Sequence, residues 1–160
     1  MAEVVVADSS VLILLARTGR IELLASLYGR VIVPQAVWLE VSGEPWRPGA
    51  TALMNLAWLE VRSVDPQAAA GMRVLVDLGE AEAITLAVAH TNSLLLIDDD
   101  RGRRLALRLG LRIKGTLGVL LLAKQRGLIS SVRGVVDELQ QVGIHVAPSL
   151  VVAVLRAAGE

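Results

Sequence analysis

Apolar positions in this chain fall into short unbroken runs spaced by longer segments of mixed character. Runs at residues 3–7 (EVVVA), 31–33 (VIV), 94–97 (LLLI) and 111–113 (LRI) predict buried strands, and WLEVRSV at 58–64 predicts an extended segment. Between them the pattern turns helical. One helix is expected through VLILLART, 11–18, with Asp8 or Ser9 as its N-cap and Gly19 as its stop. Others are expected at 21–27 and at 35–41, where Pro34 suits the first turn because its missing N–H needs no partner there. A short helix over 52–59 follows the Gly/Pro-rich loop 43–50. Two helices come next, about 67–77 and 80–91, broken at Gly79. The rest lie at 101–110, at 115–127 with Thr116 as a cap, and near 131–142 and 149–158. Short apolar strands alternating with helices predict an α/β fold: a central, mainly parallel sheet of four to five strands covered by helices on both faces.

Length and composition narrow this picture. At 160 residues the chain suits a single domain over 1–160, with a core at about 3–126 and C-terminal helices at about 131–158; no repeat or linker interrupts it. A hydrophobic content of 54% excludes disorder. The absence of cysteine excludes disulfides, thiolate metal sites and cysteine nucleophiles, and favours a cytoplasmic setting. The longest stretch without Asp, Glu, Lys or Arg is 139–155, interrupted by Gln140, Gln141 and Pro148, so no membrane span is expected. MAEVVVADSS lacks the basic start of a signal peptide.

Net charge is zero but unevenly spread. Residues 1–100 carry thirteen acidic and six basic side chains, residues 101–160 three and ten. Such asymmetry marks either a charged partner or two parts that neutralise each other.

The chemistry-bearing residues are carboxylates. Ligands of open parallel sheets bind beyond the carboxyl ends of the strands. Two strands here run directly into acid: VVVA into Asp8, and LLLI into Asp98-Asp99-Asp100. Crowded carboxylates repel and raise one another's pKa unless a cation lies between them, and hard ions such as Mg²⁺ or Mn²⁺ take oxygen ligands. Helix capping alone also accounts for Asp8, and a solvated first turn for the Asp98–Asp100 run. Glu40 stands on the helix after the second strand, and Glu80 and Glu82 at the start of a later helix that is apolar on nearly every side. Periodicity therefore cannot choose between those two. His90 and His145, the two histidines, have no ligand-like or triad setting.

VVVADSSVLILLAR, VPQAVWLEV, LGEAEAITLAVA, LLLIDDDRGRRLA and GTLGVLLLAKQRGLI, in that order, resemble a PIN-domain protein, from Val4 to about Leu155. More narrowly they resemble an uncharacterised prokaryotic branch related to VapC-type toxin ribonucleases. The resemblance implies a three-layer α/β/α domain and four acidic positions binding Mg²⁺ or Mn²⁺. These match Asp8, Glu40, Glu82 and the Asp98-Asp99 pair, with Ser9, Glu80 and Asp100 in support. Glu82 stands where toxin members usually have Asp, and Glu80 competes with it. Gapless counting favours Asp100 at the fourth position, whereas the IDD-RGRR pattern of the nearer branch favours Asp98 and Asp99. The implied activity is metal-assisted hydrolysis of RNA phosphodiester bonds, as the toxin of a toxin–antitoxin pair with a small antitoxin protein as partner. The alternative is a PIN-like scaffold that binds RNA or protein without cutting. A phosphoacceptor of receiver or haloacid-dehalogenase type also puts Asp at strand ends. Ser10, where a dehalogenase needs its second Asp, argues against it.

Arg101, Arg104 and Arg108 follow i, i+3, i+7 spacing on one helix face, a stripe suited to RNA phosphates or to neutralising the acidic half. Aromatics are few, so base stacking is not expected; Trp46, in its Pro/Gly loop, is the one open to exposure at a site or partner surface, although a core-edge place is the stronger expectation for it. VVAVLRAAG and LGVLLLA are the expected surfaces of a homo-oligomer, a dimer in its simplest form, or of antitoxin docking.

Overall fold

Val4, Val5 and Val6 are stiff at χ1 and pack well on a pleated surface, so the chain opens in a strand, β1 (Val4–Ala7). The computed structural model describes residues 2–43 and 49–160. Four more strands follow: β2 (Val31–Pro34), β3 (Leu59–Arg62), β4 (Ser93–Leu96) and β5 (Arg112–Lys114). All five pair in parallel in the order β3-β2-β1-β4-β5. The sheet is flanked by helices, in accord with the α/β/α class expected. Strand order reverses beside β1, and ligand sites of such sheets form at that switch point. β1 and β4 meet there in register, Val6 opposite Leu95 and Ala7 opposite Leu96.

By packing, the chain divides into two compact units, Met1–Gly115 and Thr116–Glu160. The first holds the whole sheet and the helices α1 (Ser9–Arg17), α2 (Leu23–Tyr28), α3 (Gln35–Ser42), α4 (Pro66–Ala70), α5 (Leu78–Val88) and α6 (Asp100–Arg108). β2 and β4 are buried along their full length and β1 along most of it, as their apolar runs require. The edge strands are polar: Glu60 of β3 pairs with Arg30 at 3.2 Å and Arg62 at 2.6 Å, and Arg112 of β5 pairs with Glu3 at 2.6 Å. Charge on the edges discourages pairing with foreign strands. Ala81, Ala83, Ile84 and Ala87 of α5 are fully buried in one cluster with Val6, Leu95 and Ile97. Small side chains there let α5 lie close to the sheet.

Three expectations need correction. The segment 52–59 is not a helix: a 3₁₀ turn, Ala50–Leu53, ends at Met54 in extended geometry and Asn55 at φ 63°. An extended residue followed by one in the left-handed region takes the backbone out of helical geometry, so no second turn forms. The break in the central helical region lies before Asp77, not at Gly79. α4 ends early, a 3₁₀ turn spans Met72–Val74, and Asp77 caps α5 with Gly79 inside it. Pro34 belongs to β2 and is the N-cap of α3 rather than its first turn. Trp46 lies outside the described residues. No helix is long and apolar enough to cross a membrane, among the described residues.

The second unit comprises α7 (Thr116–Gln125), α8 (Val132–Gln141) and α9 (Pro148–Ala158). Ser131 caps α8, its Oγ accepting from the Gly134 N–H at 3.0 Å. The Glu160 carboxylate accepts from Ser131 Oγ at 2.7 Å, Val132 N–H at 2.8 Å and Arg133 N–H at 3.3 Å, and pairs with Lys124 at 2.9 Å. The Ser131 and Lys124 bonds, with the α8 amides, hold its carboxyl down at about 2. One carboxylate thus ties the N-terminus of α8 to the last turn of α7.

Candidate active site

Asp8 follows β1 directly, and its N–H donates to Leu96 O at 2.9 Å, extending the β1–β4 ladder by one rung. That bond fixes the carboxylate at the switch point. The residue is only 3% exposed. It occupies the N-cap position of α1 with extended geometry, yet its side chain makes no capping bond, so the capping account fails. Its Oδ1 is buried without a hydrogen-bond partner among the described residues. An orphaned buried oxygen is costly and calls for an explanation. Burial pushes the carboxyl up to about 7; the Ser9 amide opposes the shift, and repulsion from Glu80, Asp77 and Glu40 adds to it.

Glu80 owes its place to the start of α5. The Glu80 N–H donates to Asp77 Oδ1 at 2.9 Å and the Asp77 N–H donates to Glu80 Oε2 at 3.2 Å, a reciprocal capping box. Glu80 is buried and its carboxyl is also raised to about 7. Burial is the main cause. Repulsion from Asp77 adds to it, the Asp77 backbone amide opposes it, and Asp99 contributes both charge and a hydrogen bond that favours the protonated form.

Asp99 is the N-cap of α6, its Oδ2 accepting from the Gly102 N–H at 2.8 Å. Glu40, on α3, reaches the start of α5, where a β-carbon on Gly79 would stand 3.2 Å from Glu40 Oε2 and 3.4 Å from Val37 Cγ2. The glycine makes room for that carboxylate. Asp8, Glu40, Asp77, Glu80 and Asp99 are therefore electrostatic neighbours.

Glu82 and Asp98, also expected at the site, have contacts of their own. Glu82 is buried, but its Oε2 accepts from the Ala36 N–H at 2.9 Å, in the first turn of α3. It compensates an unpaired helix-start donor. Asp98 Oδ1 and Arg103 Nη1 crowd Gly115, at 2.8 and 3.0 Å from where a β-carbon would stand, and Arg103 Nη1 donates to Ile97 O at 2.9 Å. Asp100 is exposed in the first turn of α6 and Ser9 is buried beside Asp8. His90 Nδ1 sits 2.9 Å from Leu86 O, a local bond within its own helical segment. As they stand, no three Asp, Glu or His side chains close into a finished ion cage among the described residues.

A cleft of about 380 Å³ opens over this cluster, lined by Asp77, Glu80 and Asp99 together with Arg73, Arg101 and the stretch Val74–Val76. A second, of about 340 Å³, shares Val74, Leu75 and Arg101 with it and continues along Arg104, Leu105 and Arg108. The three arginines of the i, i+3, i+7 stripe thus line one groove. Asp77 escaped the sequence reading although its signal was present, in the Asp77-x-x-Glu80 pattern of a capping box. Arg73 and the two residues after it carried no such signal.

A parallel α/β sheet whose switch point gathers buried carboxylates beside an arginine-lined groove defines a nuclease-like domain. A family model for the PIN domain matches residues 4–160, and the chain belongs to the PIN-domain family. PIN domains are generally nucleases, typically with divalent metals, which puts the chain with nucleic-acid hydrolases at that level of description. No curated protein matches the chain.

Proposed function

We propose that this protein is a Mg²⁺- or Mn²⁺-dependent endoribonuclease whose carboxylates at the ends of β1 and β4 hold the ion. The observation that carries it is Asp8: a buried carboxylate with an unpartnered oxygen, surrounded by Glu80, Asp77 and Glu40. The donor set fits a hard divalent cation, being all oxygen and crowded. Asp8, Glu40, Glu80 and Asp99 are the residues proposed to hold it. When bound, the ion would offset carboxylate repulsion and polarise the phosphodiester. Asp77 fixes Glu80, and Glu82 seats the helix that carries Glu40. Arg101, Arg104 and Arg108 hold the phosphates of the RNA.

The family match spans both units, which supports treating 1–160 as one domain. A cytoplasmic location, a toxin role and control by a small antitoxin protein belong to the same proposal through the likeness to VapC-type toxins. Self-association is assigned to α9, where Leu150 and Val152 are more than half exposed; α7 has most of its apolar side chains buried.

A second reading, a PIN-like scaffold that binds without cutting, is favoured by the unfinished state of the cage. Calorimetric titration with Mn²⁺ near neutral pH separates the two. Wild type is expected to bind, and Asp8→Asn to bind at least tenfold more weakly and to lose RNA cleavage. No binding to wild type at millimolar Mn²⁺ would replace the nuclease with the scaffold.

A further inference from the structure

β3 is one of the two edges of the sheet, and only one side of its backbone is paired. The Val31 N–H donates to Trp58 O at 3.1 Å, and Val31 stands opposite Leu59. In a parallel ladder, alternate residues turn their N–H and C=O toward the neighbouring strand. Trp58, Glu60 and Arg62 therefore face β2, and Val61 turns both of its backbone groups outward. No described strand lies beyond it. Leu59, the other outward residue of β3, donates its N–H locally to Leu56 O at 3.1 Å. The Val61 residue is exposed as well, at 39%. An outward donor and acceptor on one edge residue form a template for a further strand.

The side chains decide which strand fits. Glu60 and Arg62 lie on one face of β3, and Val61 between them on the other. A second β3 laid antiparallel, with Val61 opposite Val61, brings each Glu60 opposite an Arg62. The order Glu-Val-Arg is its own complement about a two-fold axis. The central Val61 pair exchanges both N–H···O bonds. The charged pairs beside it then fall at the closer spacing, about 4.5 Å between Cα atoms. Glu60 already accepts from Arg62 Nε at 2.6 Å and pairs with Arg30 at 3.2 Å, so a second copy extends these contacts into a ring of four alternating charges. Moving the axis one residue either way sets Glu60 against Glu60 or Arg62 against Arg62. The charges thus fix the register, and they refuse strands that lack the match.

We propose that β3 is a self-association edge, at which two copies of this chain join antiparallel about Val61 into one ten-stranded sheet. This contact is separate from the one assigned to α9, and independent of the ion and of the nuclease reading. The strands of the two copies run in opposite senses, so their switch points open in opposite directions. A four-residue strand makes a small interface, and a Kd of about 10–100 μM is expected. Sedimentation equilibrium from about 5 to about 300 μM covers that range. It is run in a Leu150→Ser/Val152→Ser background, which removes α9 from the comparison. Glu60→Arg and Arg62→Glu should each weaken dimerisation at least tenfold, because each sets like charges opposite one another. Mixed one to one, the two variants should dimerise again, to within about threefold of their parent, since the arginines of one meet the glutamates of the other. Val61→Pro removes the central donor but no bond to β2, and should abolish the dimer with little change in melting temperature. A parent that stays monomeric throughout, a mixture that does not recover, or a proline variant that still dimerises overturns the proposal. So does an unrelated extended peptide that binds β3 while the chain itself stays monomeric.

Discussion

Replacing Asp8 by Asn is expected to stabilise the metal-free protein at alkaline pH. The carboxyl titrates at about 7 in the fold against an ordinary 3.8. Between those values the native protein keeps a proton that the unfolded chain has released, so stability falls as pH rises from about 4 to about 7 and then levels off. At about 1.4 kcal/mol per pKa unit, ionising Asp8 costs the fold at most about 4 kcal/mol. Relaxation and water entry reduce that, and about 2 kcal/mol is the expected size. For a domain of this length each kcal/mol moves the melting temperature by about 2–4 °C, so Asp8→Asn should melt about 4–8 °C higher than wild type at pH 8 in EDTA. At pH 5 the gap should shrink to about a third, because most of the linkage lies above that pH. Mn²⁺ should narrow the gap, since an ion at a hundred times its wild-type Kd adds about 2.7 kcal/mol to wild type and about 1.4 kcal/mol to a variant that binds tenfold more weakly. Thermal denaturation followed by circular dichroism at pH 5, 6.5 and 8, with and without Mn²⁺, makes the comparison. An Asn variant no more stable than wild type at pH 8, or offset equally at every pH, would refute the reasoning.

Substitutions at two further positions probe the surroundings of Glu82 and Asp98. Glu82→Ala should cost about 1–2 kcal/mol in urea denaturation by stripping the acceptor from Ala36 N–H, whereas Glu82→Gln should keep most of that stability and leave Mn²⁺ affinity within a few-fold of wild type. A tenfold loss of Mn²⁺ affinity in Glu82→Gln would instead make Glu82 a ligand. Gly115→Ala puts a methyl 2.8 Å from Asp98 Oδ1 and 3.0 Å from Arg103 Nη1, and is expected to destabilise by about 1–3 kcal/mol; unchanged denaturation would mean that both side chains swing away freely.

Much of the fold was legible along the chain. VVV, VIV and LLLI are β-branched or aliphatic runs too short for helices, and only a sheet covered by helices buries them on both sides. The two strand ends carrying acid were legible for the same reason. What followed each strand was harder. α5 is apolar on nearly every face, so its start had to come from the cap at Asp77 rather than from periodicity, which leaves Glu80 and Glu82 undistinguished. Three consecutive aspartates gave no hint of which would cap α6. Asp99 does so, and Asp98 is turned to the end of β5, a matter of tertiary packing against Gly115. The exposure of Val74 and Leu75 was illegible because a pair of aliphatic residues ordinarily reads as core.

The capping box at the start of α5 binds two tasks into one pair of residues. Glu80 cannot be altered without loosening the first turn of its helix, and Asp77 cannot be altered without releasing Glu80. An ion that drew Glu80 Oε2 toward Asp8 would do so at the expense of the Asp77 amide, so filling the site and winding the helix compete for the same oxygen. In the nuclease proposed here, ion affinity would then be set partly by how readily one turn of α5 unwinds. Changes that merely stiffen that turn, far from any charge, would tune the affinity downward.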